Sequence, residues 1–217
     1  MTARWNCQLS KCSLPSGHSD PTKAFYERHA VDYARATTDL PIAPILAGFA
    51  RRLKRGDKIV DLGCGAGRDL RGFRECLLDP VGIDYSYTLC HLARQHSGAP
   101  VVNGDMRQLP FASESLAGAS AVASLLHLKR AEIPSTLDEI SRVLKPGGSL
   151  FTSMKHGAGE AQDSRDRWFS YFSAEEWANY LREAGFTMLE VKEDFEQRDV
   201  GALVEDIKWI NCISVKN

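Results

Sequence analysis

The feature that most constrains this sequence is a set of three alternating glycines that directly follows a short apolar segment. The segment from Ile59 to Leu62 has the composition of a buried strand, and Gly63, Gly65 and Gly67 come next, before a helical stretch. Glycines at such a junction let the backbone turn sharply and let a ligand lie against bare peptide. The pattern therefore predicts an α/β fold with a ligand site at the end of its first strand.

The rest of the chain alternates short apolar runs with helical stretches, which are predicted over about 67–77, 86–96 and 134–144. This alternation is typical of a doubly wound, Rossmann-like α/β fold with a mostly parallel sheet. A capping box of Ser173 and Glu176 predicts a last helix ending near Ala184, followed by an antiparallel hairpin at one sheet edge. The seven predicted strands are Lys58 to Leu62, Pro80 to Ile83, Ala99 to Val102, Gly118 to Leu125, Ser149 to Met154, Phe186 to Val191 and Ile207 to Val215.

The N-terminal part of the chain divides at about residue 20. Residues 1–20 are polar and lack periodicity, which predicts a flexible arm. Asp20 and Pro21 then favour a helix start, and we expect one helix to about Thr38 and a second from about Pro41 to Lys54. Residues 21–217 are thus predicted to form a single domain, in which residues 21–55 are a helical cover, or lid.

Charge and cysteine usage narrow the classes of partner. The chain of 217 residues has 27 Lys and Arg against 28 Asp and Glu, so a nucleic acid is possible as a partner but is not indicated by charge. Its six scattered cysteines predict a protein of the reducing cytoplasm, without a disulfide framework or a metal site. No run is apolar enough to predict a membrane span.

Three carboxylates follow three consecutive predicted strands. Asp61 at the first strand favours a ligand ammonium group over a phosphate, and Asp84 at the second stands where an acid characteristically binds ribose hydroxyls. Asp105, after the third, suits an exocyclic amino group of a base. Each alone is equally a helix cap or turn residue. Together the three acids predict a nucleoside cofactor with a zwitterionic end. A dinucleotide is disfavoured because Arg68 stands where a dinucleotide-binding loop has its last glycine.

On these residues the chain resembles the class I S-adenosylmethionine-dependent methyltransferases over roughly residues 22–216. The matching segments are 61–67, 82–86, 104–106 and 144–150. The resemblance implies S-adenosyl-L-methionine as the cofactor, with its methionine part at the glycine loop, its ribose at the second acid and its adenine at the third. The candidate cofactor-binding residues are Tyr33, Asp61, Gly63, Cys64, Gly65, Arg68, Asp84, Tyr85, Ser86, Asp105, Met106 and Ser124.

A narrower resemblance is to small bacterial methyltransferases with an N-terminal helical cover. It includes the segment Ser124 to His127 after the fourth strand and an aromatic segment over 167–172, whereas Leu116 and Ala117 replace the usual Phe-Asp pair. His127 is a candidate general base or a hydrogen-bonded wall residue. Tyr26 is a candidate to close over the sulfonium, or packs the cover onto the sheet.

The sequence thus predicts an S-adenosylmethionine-dependent methyltransferase that acts on a small-molecule acceptor. Two alternatives stay open: a tRNA methyltransferase of the wobble-uridine type, which the aromatic segment resembles, and a non-catalytic S-adenosylmethionine-binding subunit, which the missing Phe-Asp pair suggests. A nicotinamide dehydrogenase is disfavoured because the loop lacks its last glycine.

Overall fold

A computed structural model describes residues 20–40, 44–199 and 204–217 of the chain. Apart from Asp20, the predicted N-terminal arm lies outside the described residues. Asp20 caps the first helix as predicted, since its carboxylate accepts hydrogen bonds from the backbone N–H groups of Thr22 and Lys23.

The N-terminal cover contains two short helices where the sequence predicted one. Helix α1 (Pro21–Arg28) ends at His29, whose backbone leaves the helical region at φ −106° and ψ 16°, and α2 (Ala30–Thr37) follows. The apolar spacing continues across the break, so the periodicity did not reveal it. The second predicted helix is α3 (Pro44–Ala50), which ends before the predicted Lys54.

The central sheet has the predicted architecture. Within the described residues seven strands pair in the order β3-β2-β1-β4-β5-β9-β8, the first five in parallel and the last two antiparallel to their neighbours. The strands are β1 (Lys58–Leu62), β2 (Asp79–Asp84), β3 (Val101–Asn103), β4 (Leu116–Val122), β5 (Leu144–Lys155), β8 (Phe186–Asp199) and β9 (Val204–Lys216).

Strand limits differ from the predictions where burial changes along the chain. Strand β4 ends at Val122, and Leu125 lies in a 3-10 turn (Leu125–His127) rather than in the strand. Strand β8 continues well past its predicted end at Val191. Its outer half is an exposed hairpin arm, in which Phe195 is 76% exposed. An exposed strand carries no apolar run for sequence analysis to detect.

Four helices cover the two faces of the sheet. Helices α4 (Arg68–Glu75) and α5 (Tyr87–Ser97) follow β1 and β2, and α6 (Ile133–Val143) and α7 (Ala174–Glu183) follow β4 and β5. The largest core cluster joins the sheet to α6 and α7, and a second joins it to α3 and α4. None of the described helices is both long and apolar enough to span a lipid bilayer.

The aromatic segment of the sequence forms a small arm between β5 and α7. Strands β6 (Glu160–Gln162) and β7 (Trp168–Ser170) pair antiparallel apart from the main sheet. Sequence analysis did not predict this pair, since three-residue strands with an exposed partner give no periodic signal. Contacts between β7 and the 3-10 turn after β4 place the arm beside the candidate site.

Candidate active site

A cleft opens at the carboxyl ends of β1, β2 and β4, where the strand order reverses between β1 and β4. Ligands of doubly wound folds characteristically bind at this position. The cleft contains about 810 Å³ of space not occupied by atoms. Residues of α1, α2, the glycine loop and the loops after β2, β3 and β4 line it, so the N-terminal cover closes over the strand ends.

The glycine loop turns as the sequence predicted. Gly63 and Gly65 have φ angles of 68° and 53°, which side chains rarely adopt. A Cβ atom on Gly63 would lie 2.5 Å from Cβ of Ser124, and one on Gly65 would lie 3.1 Å from the Tyr33 ring. Both glycines line the cleft. The loop therefore presents bare backbone to whatever lies between it and the cover.

Asp84 stands at the tip of β2 with its carboxylate held by backbone donors. Its Oδ2 accepts from the N–H of Gly65 at 2.9 Å, and its Oδ1 accepts from the N–H of Ser86 at 2.9 Å. Burial raises the pKa of Asp84 to about 6, although these backbone hydrogen bonds lower it. Each carboxylate oxygen accepts more than one hydrogen bond, so the group has capacity for two further hydroxyl donors. Asp84 therefore fits a ribose.

Asp105 lies in the loop after β3 and lines the cleft together with Met106. Its two carboxylate oxygens are contacted by the Arg107 guanidinium, with Nη2 of Arg107 at 2.6 Å from Oδ2. Arg107 also contacts Glu132 and itself lines the cleft. Sequence analysis missed Arg107, because an arginine two residues after an acid gives no signal of its own. The acid predicted to read adenine thus has a cation as its principal partner.

The tip of β4 contributes a polar group without a protein partner. Ser124 lines the cleft, and its buried Oγ makes no hydrogen bond to any residue that the structure describes. The preceding residue, Ala123, also lines the cleft and has a φ of 50°, a conformation unusual for a residue with a side chain. A buried hydroxyl is normally paired, so the Ser124 Oγ is available to a polar ligand atom in the cleft.

Three predicted cofactor-binding residues do not line the cleft. Cys64 packs among apolar side chains with Leu70 and Cys90. Arg68 forms two hydrogen bonds of 2.8 Å to the carboxylate of Asp69 rather than pointing at the ligand space. Asp61 is buried beneath the loop, and its Oδ2 has no hydrogen-bond partner among the described residues. The other candidates, Tyr85 and Ser86 included, line the cleft.

Tyr26 and Tyr33 face the cleft from the helical cover. Their rings meet edge to face, with centroids 5.3 Å apart. Burial raises the pKa of both phenols, more strongly for Tyr33. They therefore stay neutral in the physiological range, and both bring an aromatic ring and a hydroxyl to the glycine loop.

His127 and Tyr26 form a hydrogen-bonded pair whose direction the structure determines. Nδ1 of His127 lies 2.7 Å from the carbonyl oxygen of Trp168, which only accepts, so Nδ1 carries the ring proton. Nε2 is then unprotonated and accepts from the hydroxyl of Tyr26 at 2.9 Å. Burial, together with the charges of Arg167 and Lys155, lowers the pKa of His127 to about 4, although the hydrogen bond to the Trp168 carbonyl acts in the opposite direction. The ring is thus neutral, and its basic nitrogen is occupied by Tyr26.

Two further contacts of α1 were missed by sequence analysis. The Thr22 hydroxyl accepts from the N–H of Trp168 at 2.8 Å, and the Glu27 carboxylate accepts from the hydroxyl of Ser86 at 2.6 Å. Trp168 lies in strand β7, which the sequence did not predict, so its backbone N–H could not be identified as a partner of Thr22. Glu27 lies within the predicted helical cover, but nothing in the sequence links it to a residue 59 positions away.

The residues that line the cleft fit a nucleoside cofactor with an amino-acid end. The bare loop and the unpaired Ser124 hydroxyl lie at one end, and the ribose-type acid lies at the tip of the next strand. A pyrophosphate fits less well, because the carboxylate of Asp84 lies directly against the loop.

Comparison with known proteins agrees with this geometry. Residues 59–148 match the model of a methyltransferase domain family. The chain is 31% identical over 156 residues to the O-methyltransferase cnsE of Penicillium expansum, covering 63% of this chain and 54% of that protein. It is 30% identical over 137 residues to the tRNA (carboxymethyluridine(34)-5-O)-methyltransferase of Arabidopsis thaliana, covering 62% of this chain and 33% of that protein. The chain thus spans only part of the length of these relatives.

A solved structure shares the fold over nearly the whole chain. It is the Burkholderia thailandensis 1,6-didemethyltoxoflavin-N1-methyltransferase with bound 1,6-didemethyltoxoflavin and S-adenosylhomocysteine. It superimposes with a TM-score of 0.75 at 20% identity and covers 96% of this chain and 92% of that one. Residues 59–148 thus carry the match to a methyltransferase domain family, and over nearly the whole chain the fold is that of an S-adenosylmethionine-dependent methyltransferase.

Proposed function

We propose that this protein transfers a methyl group from S-adenosyl-L-methionine to a hydroxyl or N–H group of a small-molecule acceptor. The observation that carries the proposal is the Tyr26 and His127 pair beside the glycine loop, because it supplies a proton path at the edge of the cofactor cleft. The fungal O-methyltransferase and the toxoflavin N-methyltransferase support a small acceptor by analogy. In this proposal residues 21–217 are the catalytic domain and residues 21–55 its cover.

The cofactor roles follow from the lining of the cleft. Gly63, Gly65 and the Ser124 hydroxyl would hold the methionine part, and Asp84 would accept from the ribose hydroxyls. The adenine would lie near Asp105 and the backbone of Met106, with Arg107 beside them. Asp61 lies beneath the loop, where burial and the neighbouring Asp69 raise the pKa of its carboxyl well above its ordinary value, and in this proposal it supports the loop rather than contacting the cofactor. When bound, S-adenosylmethionine supplies an electrophilic methyl group on a sulfonium.

Tyr26 is the residue that meets the acceptor in this mechanism. Its own proton is committed to Nε2 of His127 and its oxygen also interacts with the Arg167 guanidinium, so the remaining lone pair of that oxygen is the proposed acceptor for an O–H or N–H donor. As the acceptor atom is methylated, its proton moves to the Tyr26 oxygen while the Tyr26 proton moves to Nε2 of His127. The acceptor thereby loses one proton, and His127 gains one.

His127 gains that proton while its Nδ1–H stays on the Trp168 carbonyl. The positive charges of Arg167 and Lys155 oppose the positive charge that the ring gains with this proton, which makes His127 a weak base. The relay therefore favours acceptors whose proton is already acidic, such as phenols and enols. Holding acceptor and methyl group in line supplies the larger share of the rate, up to about 7 to 11 kcal/mol in favourable cases.

A tRNA acceptor is the second candidate, and the Arabidopsis relative favours it. Two observations weigh against it. The net charge of −1 gives no field that attracts a polyanion, and α1 covers the cleft that a nucleotide base would have to enter.

The deciding experiment has two parts. Calorimetry measures the binding of S-adenosylmethionine, S-adenosylhomocysteine and NADH to the full chain, and a coupled assay then measures formation of S-adenosylhomocysteine with phenols, enols, amines and unmodified tRNA. The proposal expects cofactor binding and turnover with small acceptors. Binding without any turnover would support a cofactor-binding subunit, turnover of tRNA alone would support the second candidate, and binding of NADH alone would overturn the family-based chemistry.

A further inference from the structure

Glu27 is the acidic residue of α1 and has no part in the proton path. Its carboxylate reaches across to the start of α5. Oε2 accepts from the hydroxyl of Ser86 at 2.6 Å, Oε1 accepts from the hydroxyl of Thr88, and both oxygens lie 3.3 Å from the backbone nitrogen of Thr88. A side chain of the cover thus ends in a cluster of donors on the sheet side of the cleft.

The start of α5 is a favourable place for a negative charge. The first backbone N–H groups of a helix lack partners within the helix, and the helix dipole is positive there. Here the Ser86 side chain accepts from the N–H of Leu89, and Glu27 takes the N–H of Thr88. Hydrogen bonds from the two hydroxyls lower the pKa of Glu27, although partial burial acts in the opposite direction. Such charge-assisted contacts are the stronger class of hydrogen bond.

These contacts lie next to the ribose site. The N–H of Ser86 donates to Asp84, and its hydroxyl donates to Glu27, so one residue connects the cover to the acid at the tip of β2. Glu27 also directly follows Tyr26, which lines the cleft. Movement of α1 away from the cleft would break the Glu27 contacts and displace the Tyr26 hydroxyl together.

Three side-chain contacts hold helix α1 in its position over the cleft. Thr22 contacts the β6–β7 arm, Tyr26 contacts His127, and Glu27 contacts α5. Of these three contacts the one made by Glu27 consists of charge-assisted hydrogen bonds, and it lies beside the ribose-type acid. A cofactor enclosed beneath α1 can leave only after the helix moves.

We propose that Glu27 is a positioning residue that fastens α1 over the bound cofactor and so limits the rate of cofactor release. The proposal rests on the proposed function for the identity of that cofactor. Through the adjoining Tyr26, the same contact fixes the hydroxyl at the acceptor side of the cleft. A merely structural role would affect the stability of the fold and leave the exchange of ligand unchanged.

The test compares dissociation of S-adenosylhomocysteine from full-length variants by stopped-flow displacement. Glu27→Ala should release the ligand at least about tenfold faster than the natural protein, because charged hydrogen bonds hold the closed position. Glu27→Gln keeps one acceptor oxygen and should give an intermediate rate. The matched control is Glu75→Ala, which removes an exposed glutamate paired with Arg71 near the end of α4 and should leave the rate unchanged.

A second variant tests the contact from the other side. Thr88→Val removes the hydroxyl that donates to Glu27, and Thr88 does not line the cleft. It should also speed release, and the Glu27→Ala, Thr88→Val double variant should release no faster than Glu27→Ala alone, because the two residues form one contact. Additive effects would contradict this assignment.

Three outcomes separate the two proposals. If the natural protein does not bind S-adenosylhomocysteine, the proposed function fails. If it binds and Glu27→Ala releases the ligand at the natural rate, or no faster than Glu75→Ala, the role of Glu27 alone is overturned. If release accelerates while the melting temperature falls no more than in Glu75→Ala, Glu27 acts on closure as proposed.

Discussion

The hydroxyl oxygen of Tyr26 lies 2.9 Å from Nε2 of His127, and this contact joins the helical cover to the turn after β4. The two residues are 101 positions apart, and they meet because the cover lies over the cleft. In the proposed function, a cover in this position also excludes water from the sulfonium and the acceptor. The proposed chemistry therefore depends on the position of the cover through a single side chain.

Tyr26→Phe should lower turnover by about 100-fold, because the relay loses its hydroxyl while the aromatic ring remains. The affinity for S-adenosylhomocysteine should change by less than about threefold, since the ring carries most of the packing. Steady-state kinetics with an acceptor identified in the panel and calorimetry measure the two quantities. Tyr87→Phe, at an exposed tyrosine, is the matched control. Unchanged turnover in Tyr26→Phe would remove Tyr26 from the proton path.

His127→Asn should alter the dependence of stability on pH. Burial lowers the pKa of His127 in the folded protein to about 4, below its unfolded value of 6.5, so the folded state resists protonation. The natural protein should therefore lose stability relative to the variant as pH falls from about 6.5 to about 4. At pH 4.5 the free energy of unfolding of the natural protein should have fallen by about 2 kcal/mol relative to the variant. The ring keeps some contact with solvent, so this loss is smaller than a fully desolvated ring would give. Urea unfolding at pH 7 and 4.5 checks this, and parallel pH profiles would refute a neutral buried ring.

Asp84 should make cofactor binding depend on pH near 6. Burial raises its pKa to about 6, and only the ionised carboxylate accepts from both ribose hydroxyls. The affinity for S-adenosylhomocysteine should be constant above about pH 7 and fall by about tenfold per unit well below 6, which calorimetry can follow. Asp84→Ala should weaken binding at pH 7.5 by at least about tenfold and abolish the pH dependence. A flat profile in the natural protein would contradict the ribose assignment.

A comparison of Gly63→Ala with Gly147→Ala separates the effect of backbone strain from the effect of a steric clash of the added Cβ atom. Both glycines have positive φ angles, of 68° and 75°, so an alanine at either position should cost about 1 kcal/mol of stability. At Gly147 nothing lies within 4 Å of the added Cβ, whereas at Gly63 it would lie 2.5 Å from Cβ of Ser124. Only Gly63→Ala should therefore lose cofactor binding, measured by calorimetry. Equal binding by both variants would show that the glycine loop is not part of the site.

Thr152→Val should destabilise the core. The Trp177 indole N–H donates to the Thr152 hydroxyl at 2.8 Å, and both side chains are fully buried. Valine keeps the volume but leaves a buried donor without a partner, which should lower the free energy of unfolding by about 1 to 3 kcal/mol. Thr187→Val, at an exposed position of β8, should change it by less than about 0.5 kcal/mol. Chemical unfolding of the two variants measures the difference.

The sequence predicted the parts of the molecule that depend on local pattern. The glycine loop and Asp84 directly follow buried strands, so apolar runs and loop composition were enough to locate the site. The capping box at Ser173 likewise located α7. These features need no knowledge of which elements meet in space.

The remaining features depend on contacts between distant segments. The apolar spacing across His29 did not distinguish one helix from two, and the β6–β7 strands are too short to have a period. Arg68 follows the loop at a position that suits a ligand carboxylate, but Asp69 beside it takes both of its hydrogen bonds. The partners of Tyr26 and Glu27 become visible only when the cover is placed on the sheet.

Ala123 at the tip of β4 keeps its φ of 50° although a side chain disfavours that value. Such a backbone persists only where its surroundings fix it, so this end of the crevice has a rigid floor. The roof is different, because side-chain contacts hold it in place, and the proposed release of the cofactor requires it to lift. A rigid floor with an adjustable roof lets one donor geometry serve acceptors of many shapes. Changes in acceptor preference are therefore expected to map to α1 and the β6–β7 arm, and not to the strand tips.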